Sequence, residues 1–263
     1  MRDLDVGYVA IMASAFGLAM LARRWAGDGG ADPLTRGQRF VLSFAAVVGG
    51  ALSAKLPYVL ADPAGAVSGA AWLTDGRTVT WGLVGGYFAV ELAKPFVGVR
   101  TKTGDGFAVP VAVSIGVGRL GCLWAGCCYG APTDLPWGVD FGDGVLRHPN
   151  QLYEAAFHLG MAGFLLYCGR RGWLARQRIK VYIASYMAFR LVSESWRPEP
   201  RIALGLTFYQ WSALVFLALF VGLFLYDRYR ADRYRQSPVS ASQLGAASVH
   251  AASAPHGRQS GSQ

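Results

Sequence analysis

Apolar residues run in seven blocks, at about residues 6–24, 38–60, 78–98, 107–128, 150–168, 179–196 and 204–226. The blocks are long enough to cross a bilayer, for which a helix needs roughly 20 mostly apolar residues. Strands of a membrane barrel would alternate apolar and polar positions over about ten residues, and these blocks do not. Lipid tolerates only helices and closed barrels, because every backbone polar group must be satisfied internally. The pattern therefore predicts an all-α, polytopic membrane protein with seven transmembrane helices.

Composition agrees with that reading. Of 263 residues, 53% are hydrophobic and 16% charged, against about 25% charged in soluble domains. The net charge of +9 invites a nucleic-acid reading, but its distribution excludes one. Lys and Arg collect at Arg23, Arg24, Arg36 and Arg39, at Lys94, Arg100 and Lys102, at Arg170 to Lys180, and at Arg228 to Arg235. The intervening loops 61–77, 129–149 and 197–203 carry few. This alternation follows the positive-inside rule and places the N-terminus outside and the C-terminus in the cytoplasm. The first block is expected to stay as an uncleaved helix, since its positive charge follows the span and no small-residue cleavage site closes it.

One membrane domain, residues 1–235, is expected, with outer loops 61–77 and 129–149. The second loop, rich in Gly, Pro and Asp with Trp137 and Phe141, predicts a small ordered cap on the outer side. Residues 236–263 are Ser, Ala, Gln and Gly with His250 and His256. Such a segment buries too little apolar surface to fold, and predicts a disordered cytoplasmic tail with inert histidines.

Candidate chemistry begins with the charges inside the blocks. At about 1.5 Å per helical residue, Arg119 lies about 18 Å into its span and Arg190 about 16 Å, near the middle of a core about 30 Å thick. An arginine there costs about 2.5–3.5 kcal/mol on insertion scales, so each needs an anion or a wet cavity. Glu194, one turn beyond Arg190, offers a structural ion pair at i,i+4. Arg119 has no acid within two turns of its own helix. Its neighbours Gly116, Gly118 and Gly121 let a backbone or a ligand approach, which favours an anionic ligand. Bidentate arginine contacts suit a phospholipid phosphate. Glu91 and Lys94 read as a local pair with a snorkelling lysine. Lys55, beside the kink expected at Pro57, either guides anionic headgroups or snorkels.

The string "GRLG" (Gly118 to Gly121), a turn at Gly130, "RHPNQLYE" (Arg147 to Glu154) and "SYMAFRLVSE" (Ser185 to Glu194) together resemble the prolipoprotein diacylglyceryl transferase family. "GLVGG" (Gly82 to Gly86) and the Tyr8 region match more loosely, and the likeness covers roughly residues 6–226. The resemblance implies a bacterial inner-membrane enzyme acting in lipoprotein biosynthesis. It would move the diacylglyceryl group of phosphatidylglycerol to the lipobox cysteine thiol of a prolipoprotein signal peptide, releasing glycerol phosphate. Its partners would be membrane lipids and that peptide, with no nucleic acid, cofactor or metal. The likeness implies catalytic roles for Arg119, Arg190 and Glu194. Substrate-binding roles fall on Tyr8, Gly82, Gly85, Gly118, Gly121, Gly130, Gln151, Tyr153 and Glu154. By physics alone, Gln151, Tyr153 and Glu154 fit helix capping or interfacial anchoring as well as binding.

Two positions depart from the family pattern. Thr80 stands where the family has a histidine proposed as base, and Cys122 where it has an asparagine. Thr80 is a poor base at neutral pH. His148 is then the candidate for taking a thiol proton, or else a loop residue bracing the Arg147–Pro149 turn. The departures leave open a catalytically altered or inactive lipid-binding paralogue. A small-anion or lipid transporter is a further alternative, although the paired halves expected of one are not visible.

Cys122, Cys127 and Cys128 fall at the outer end of the fourth block and Cys168 at the cytoplasmic end of the fifth, too far for a disulfide between them. On an ideal helix Cys122 and Cys127 lie about 140° apart, so no shared face is expected. The spacing also lacks the CxxC pairs of zinc sites. Packing of a helix end, a disulfide among the three, or a thiol carrying a lipid intermediate remain as readings.

Overall fold

The computed structural model describes residues 6–26, 34–73 and 76–235. The segment 236–263, with His250 and His256, lies outside the described residues. The chain divides into two compact units, Met1–Val221 and Gly222–Gln263.

Helices dominate the described residues, and every apolar block forms one. Helix α1 (Val6–Ala26) buries a stripe of Ala15, Ala19, Ala22 and Ala26, and packs on α6 (Asp105–Trp124). The small side chains bring the two helices close. A Cβ on Gly121 would run into Met12 and reach Tyr8 at 3.5 Å. Helix α2 (Arg36–Ala61) starts at a capping box, in which Thr35 Oγ1 accepts from the Gln38 amide at 3.2 Å and Gln38 Oε1 accepts from the Thr35 amide at 3.0 Å. Two short helices, α3 (Pro63–Ser68) and α4 (Ala70–Leu73), follow. Helix α5 (Val79–Ala93) is capped by Thr78 and crosses α2 glycine against glycine. A Cβ on Gly86 would sit 3.1 Å from the Ala46 carbonyl oxygen, and one on Gly82 3.3 Å from that of Gly50.

After α6 come a hairpin of β1 (Val139–Asp140) and β2 (Leu146–Arg147), then α7 (Asn150–Arg170) and α8 (Arg178–Ser193). A 3₁₀ turn over Glu194–Trp196 leads to a second hairpin, β3 (Arg201–Ala203) with β4 (Leu206–Thr207), and to α9 (Phe208–Arg235). Helix α8 supplies the centre of the core: Tyr182, Ile183, Tyr186 and Met187 are buried against Val109 and Ala112 of α6 and Leu165 of α7. A buried staple fixes the opposite end from the cap. Asp105 accepts from Arg178 Nε at 3.1 Å and from the Arg178 and Arg176 amides at 2.9 and 2.5 Å, while Arg178 Nη1 donates to the Ala26 carbonyl at 2.5 Å. One carboxylate thus ties α6 and the start of α8, with α1 held through Arg178.

Among the described residues, four helices are long and apolar enough to cross a membrane: Val6–Ala26, Arg36–Ala61, Asp105–Trp124 and Phe208–Arg233. Seven were expected. Helices α5 and α8 have only 15 and 16 residues. Helix α7 has 21 but carries Asn150, Gln151, Glu154 and His158 on its buried face. Interior polar groups lower the apolar content of such a segment without exposing charge to its surroundings. Outward-facing aromatics remain on the long helices, with Phe16, Phe40 and Phe44 60–71% exposed.

Candidate functional site

The arginines of α6 and α8 converge on α7. Arg119 Nη2 lies 2.6 Å from Glu154 Oε2, and Arg190 Nη1 lies 3.1 Å from Glu154 Oε1. A third cation, Arg197 just past the 3₁₀ turn, reaches Glu154 Oε1 at 2.6 Å. Tyr186 donates its hydroxyl to Glu154 at 3.2 Å, and Arg190 also pairs with Glu194 one turn on. Glu154 and Glu194 are each 1% exposed. The pairing expected between Arg190 and Glu194 is present. Arg119, for which the sequence favours an anionic ligand, meets a carboxylate from a neighbouring helix, beyond the reach of same-helix spacing rules.

That pairing does not use up the arginines. Nε of Arg119 and Nε of Arg190 are buried with no hydrogen-bond partner. Both residues line a polar cleft of about 50 Å³ with Tyr58, Arg77, Thr80, Arg197, Glu199 and Tyr209. Its walls carry four cations against three carboxylates once Glu154 and Glu194 are counted, an excess of one positive charge. At Arg77, Thr78 and Val79 the cleft adjoins a wide apolar groove of about 310 Å³, lined by Val47, Ala51, Ala54 and Gly82 between α2 and α5. A phosphate diester with two acyl chains has that division of polarity.

The string Arg147 to Glu154 accounts for the architecture around the cleft. Arg147 pairs with Asp143 at 2.6 Å, holding that carboxyl below its ordinary value, and lies 5.0 Å over the Tyr129 ring. The His148 carbonyl accepts from the Gly130 amide at 2.8 Å. Asn150 Nδ2 donates to the Trp196 carbonyl at 3.4 Å, and Gln151 Nε2 to the Cys127 carbonyl at 2.5 Å. Tyr153 accepts from Trp137 Nε1 at 2.8 Å.

Not every expected site residue gathers at the arginines. His148 and Tyr153 line a separate aromatic cleft of about 420 Å³ with Trp137, Phe189 and Trp196, where His148 Nδ1 is 3.4 Å from the Tyr153 hydroxyl. His148 therefore braces the cap and does not line the arginine cleft, which counts against its expected role as base there. Gly118, Gly121 and Tyr8 meet at the α1–α6 contact. Gly85 faces Ser53 across the α2–α5 crossing, and a Cβ on Gly130 would sit 2.6 Å from both the His148 Cβ and the Trp196 carbonyl oxygen. Gly121, Gly85 and Gly130 thus admit another element, Gly118 makes only an ordinary contact with Met12, and Gly82 lines the groove.

Comparison with known proteins decides the family. The family model described as prolipoprotein diacylglyceryl transferase matches residues 6–226. The chain belongs to the prolipoprotein diacylglyceryl transferase family. It is similar to the phosphatidylglycerol–prolipoprotein diacylglyceryl transferase of Clostridium tetani, 31% identical over 206 residues, covering 73% of this chain and 81% of that protein. The protein of the same name from Geobacter sulfurreducens is 42% identical over 131 residues, 46% of this chain and 50% of that one. As a member of the prolipoprotein diacylglyceryl transferase family with four apolar spans, it is a multi-pass membrane protein. The matched region contains the whole arginine cleft.

Sequence reasoning passed over three polar residues here. Arg197 read as a loop cation, although it stands three residues past Glu194. Arg77 read as a loop residue. His158 stands at i+4 from Glu154, a spacing that puts both on one helix face. It is buried, with Nδ1 2.8 Å from the Tyr182 hydroxyl and its ring centroid 4.6 Å from that of Tyr186.

The cysteines also correct an expectation. Helix α6 ends at Trp124, so the ideal-helix angle no longer applies beyond it. Gly126 takes φ 61° and the Cys127 amide donates to the Cys122 carbonyl at 3.0 Å, which turns the chain back on itself. The Sγ atoms of Cys122, Cys127 and Cys128 then lie within 4.8 Å of one another. All four cysteines are free thiols.

Proposed function

We propose that this chain transfers the diacylglyceryl group of phosphatidylglycerol to the lipobox cysteine thiol of a prolipoprotein. The thiolate sulfur attacks the glyceryl carbon bound to phosphate. The C–O bond breaks, its electron pair stays on the phosphate oxygen, and glycerol phosphate leaves. The observation that supports this most is the excess of arginine in a buried cleft continuous with an apolar groove. The phosphate sits against Arg119 and Arg190, and the acyl chains lie in the groove beside α2. Preorganised guanidinium groups stabilise charge developing on the leaving phosphate in a low-dielectric site. Glu154 and Glu194 hold the arginines in place, Tyr153 and Gln151 shape the adjoining surfaces, and Arg77 draws the headgroup in.

In this reading residues 1–235 are one transferase domain. All seven helices formed by the apolar blocks cross the bacterial inner membrane, with the N-terminus and loops 61–77 and 129–149 outside and residues 236–263 a cytoplasmic tail. Nucleic acid is no partner. A second reading, a lipid-binding paralogue without chemistry, draws on Thr80, which lines the cleft where the family resemblance places a histidine. Both are tested by complementing a strain that lacks its own transferase, with thioether-linked diacylglyceryl on a reporter lipoprotein read by mass spectrometry. Modified reporter is expected. Unmodified reporter, with the protein present in the membrane, would overturn the transferase reading in favour of the paralogue.

A further inference from the structure

A thiol attacks carbon as the thiolate, and no imidazole is among the residues lining the cleft: Thr80 is an alcohol, His148 lies in the other cleft, and the Glu199 carboxylate is a far weaker base than a thiolate. The cysteine turn stands nearby. Cys122 follows Arg119 by three residues on α6, so the two share a helix face. Arg119 and Arg197 both act electrostatically on Cys128.

We propose that Cys122, Cys127 and Cys128 form a three-thiolate Zn²⁺ site whose open fourth position takes the thiol of the incoming lipobox cysteine. The metal-site geometry stands on its own, whereas the role of the fourth ligand rests on the transferase reading above.

Three observations carry the site. First, Zn–S bonds of about 2.3 Å in a tetrahedron place sulfurs roughly 3.8 Å apart. Cys127 and Cys128 Sγ are 3.8 Å apart, and all three sulfurs fall within 4.8 Å. Side-chain rotation covers the remainder. Second, the backbone is held in an unfavourable shape to achieve this. Cys128 has φ 62°, a left-handed conformation that a residue with a side chain adopts at a cost and that clusters at functional sites. The Gln151 amide clamps the Cys127 carbonyl from α7. Third, burial is graded: Cys122 and Cys127 are half-buried and Cys128 is exposed, which leaves one side of the trio open. Three protein ligands with a free position is the arrangement of catalytic zinc, whereas structural zinc is closed by four.

The chemistry follows from the ligand count. A thiol that coordinates Zn²⁺ loses its proton outright, here to water as the peptide binds. The zinc-bound thiolate then attacks the glyceryl carbon, and the phosphate leaves with the electron pair of the broken C–O bond. Three thiolates and Zn²⁺ carry one net negative charge, and Arg119, one turn before Cys122 on α6, offsets it.

The test uses the full chain purified in detergent with Co²⁺ as a spectroscopic probe for zinc. One Co²⁺ per chain is expected, with sulfur-to-cobalt charge-transfer absorption that a zinc salt displaces. Adding a synthetic lipobox peptide should raise that absorption by about a third, as three thiolates become four, and its serine counterpart should not. The combined variant Cys122→Ser, Cys127→Ser, Cys128→Ser should bind no Co²⁺, while Cys168→Ser binds it fully. Sub-stoichiometric Co²⁺, binding that survives the triple substitution, or absorption indifferent to the cysteine peptide would each overturn the proposal. Thioether formation by chelator-stripped protein would do so as well and leave the transferase reading intact. Full binding of metal and peptide thiol without any thioether would uphold the site and count against the transferase reading instead.

Discussion

Glu154 is the residue on which three helical segments agree, and replacing it by Gln separates its structural part from the chemistry. The carboxylate is 1% exposed and receives Arg119 and Arg197 at 2.6 Å, Arg190 at 3.1 Å and the Tyr186 hydroxyl at 3.2 Å. Removing one partner of a buried pair costs about 3–5 kcal/mol, because a charge is left uncompensated. Here Arg190 and Arg197 would keep Glu194 but Arg119 would lose its carboxylate partner, so the loss belongs at the upper end, about 5 kcal/mol. Native stability is about 5–15 kcal/mol, so Glu154→Gln should be folded only marginally. Arg119→Gln is different, since Glu154 keeps Arg190 and Arg197. Losing one hydrogen bond to a charged group costs about 1.5–3 kcal/mol. Unfolding in mixed micelles with rising SDS, followed by circular dichroism, compares the two. Glu154→Gln should unfold at much lower SDS and recover part of the loss with added phosphatidylglycerol, whose phosphate replaces the missing anion. Arg119→Gln should lose only about 1.5–3 kcal/mol, well short of the Glu154→Gln loss, while losing transfer. Equal stability of the two variants would refute the shared-carboxylate argument.

Asp105→Asn removes the staple between α6 and α8, and should cost about 3 kcal/mol in the same unfolding assay while transfer per folded molecule stays within twofold. His148→Ala should lower the initial rate of thioether formation far less than the roughly 10²–10⁴-fold expected of a lost general base. Arg77→Gln, at the join of cleft and groove, should raise KM for phosphatidylglycerol about tenfold with kcat little changed, an effect of about 1.4 kcal/mol; an unchanged KM would remove Arg77 from headgroup capture.

The helices were legible because membrane insertion writes itself as long apolar runs, and each of the seven blocks became a helix. The depth of Arg119 and Arg190 was legible too, since a helical rise converts sequence distance into ångströms. What reads poorly is anything set by contact between elements. Nothing local to "GRLG" announces that Glu154, thirty-five residues on, closes the charge. Glycines at 82, 85, 118 and 121 look alike in sequence, and only the crossings of α2 with α5 and of α1 with α6 show which neighbour each admits. The cysteine trio was missed for a sharper reason. The ideal-helix angle between Cys122 and Cys127 holds only while the helix continues, and α6 ends at Trp124 with a left-handed glycine at 126.

The first turn and a half of α7 explains why "RHPNQLYE" is so dense. Asn150 reaches the end of the 3₁₀ turn, Gln151 the cysteine turn, Tyr153 the aromatic cleft, and Glu154 the three arginines. Successive residues on a helix point about 100° apart, so consecutive side chains must serve different neighbours. Asn150, Gln151 and Glu154 do this from buried positions while Leu152 between them stays exposed, and these interior polar groups account for the low apolar content of α7. It follows that substitutions there should fail in different ways. Gln151→Leu should release the thiol turn and weaken Co²⁺ binding with the arginine cleft intact. Tyr153→Phe removes the acceptor of Trp137 and should alter the aromatic cleft alone. If every change in this turn instead produced one common loss, the string would be a folding nucleus and not a junction between separable sites.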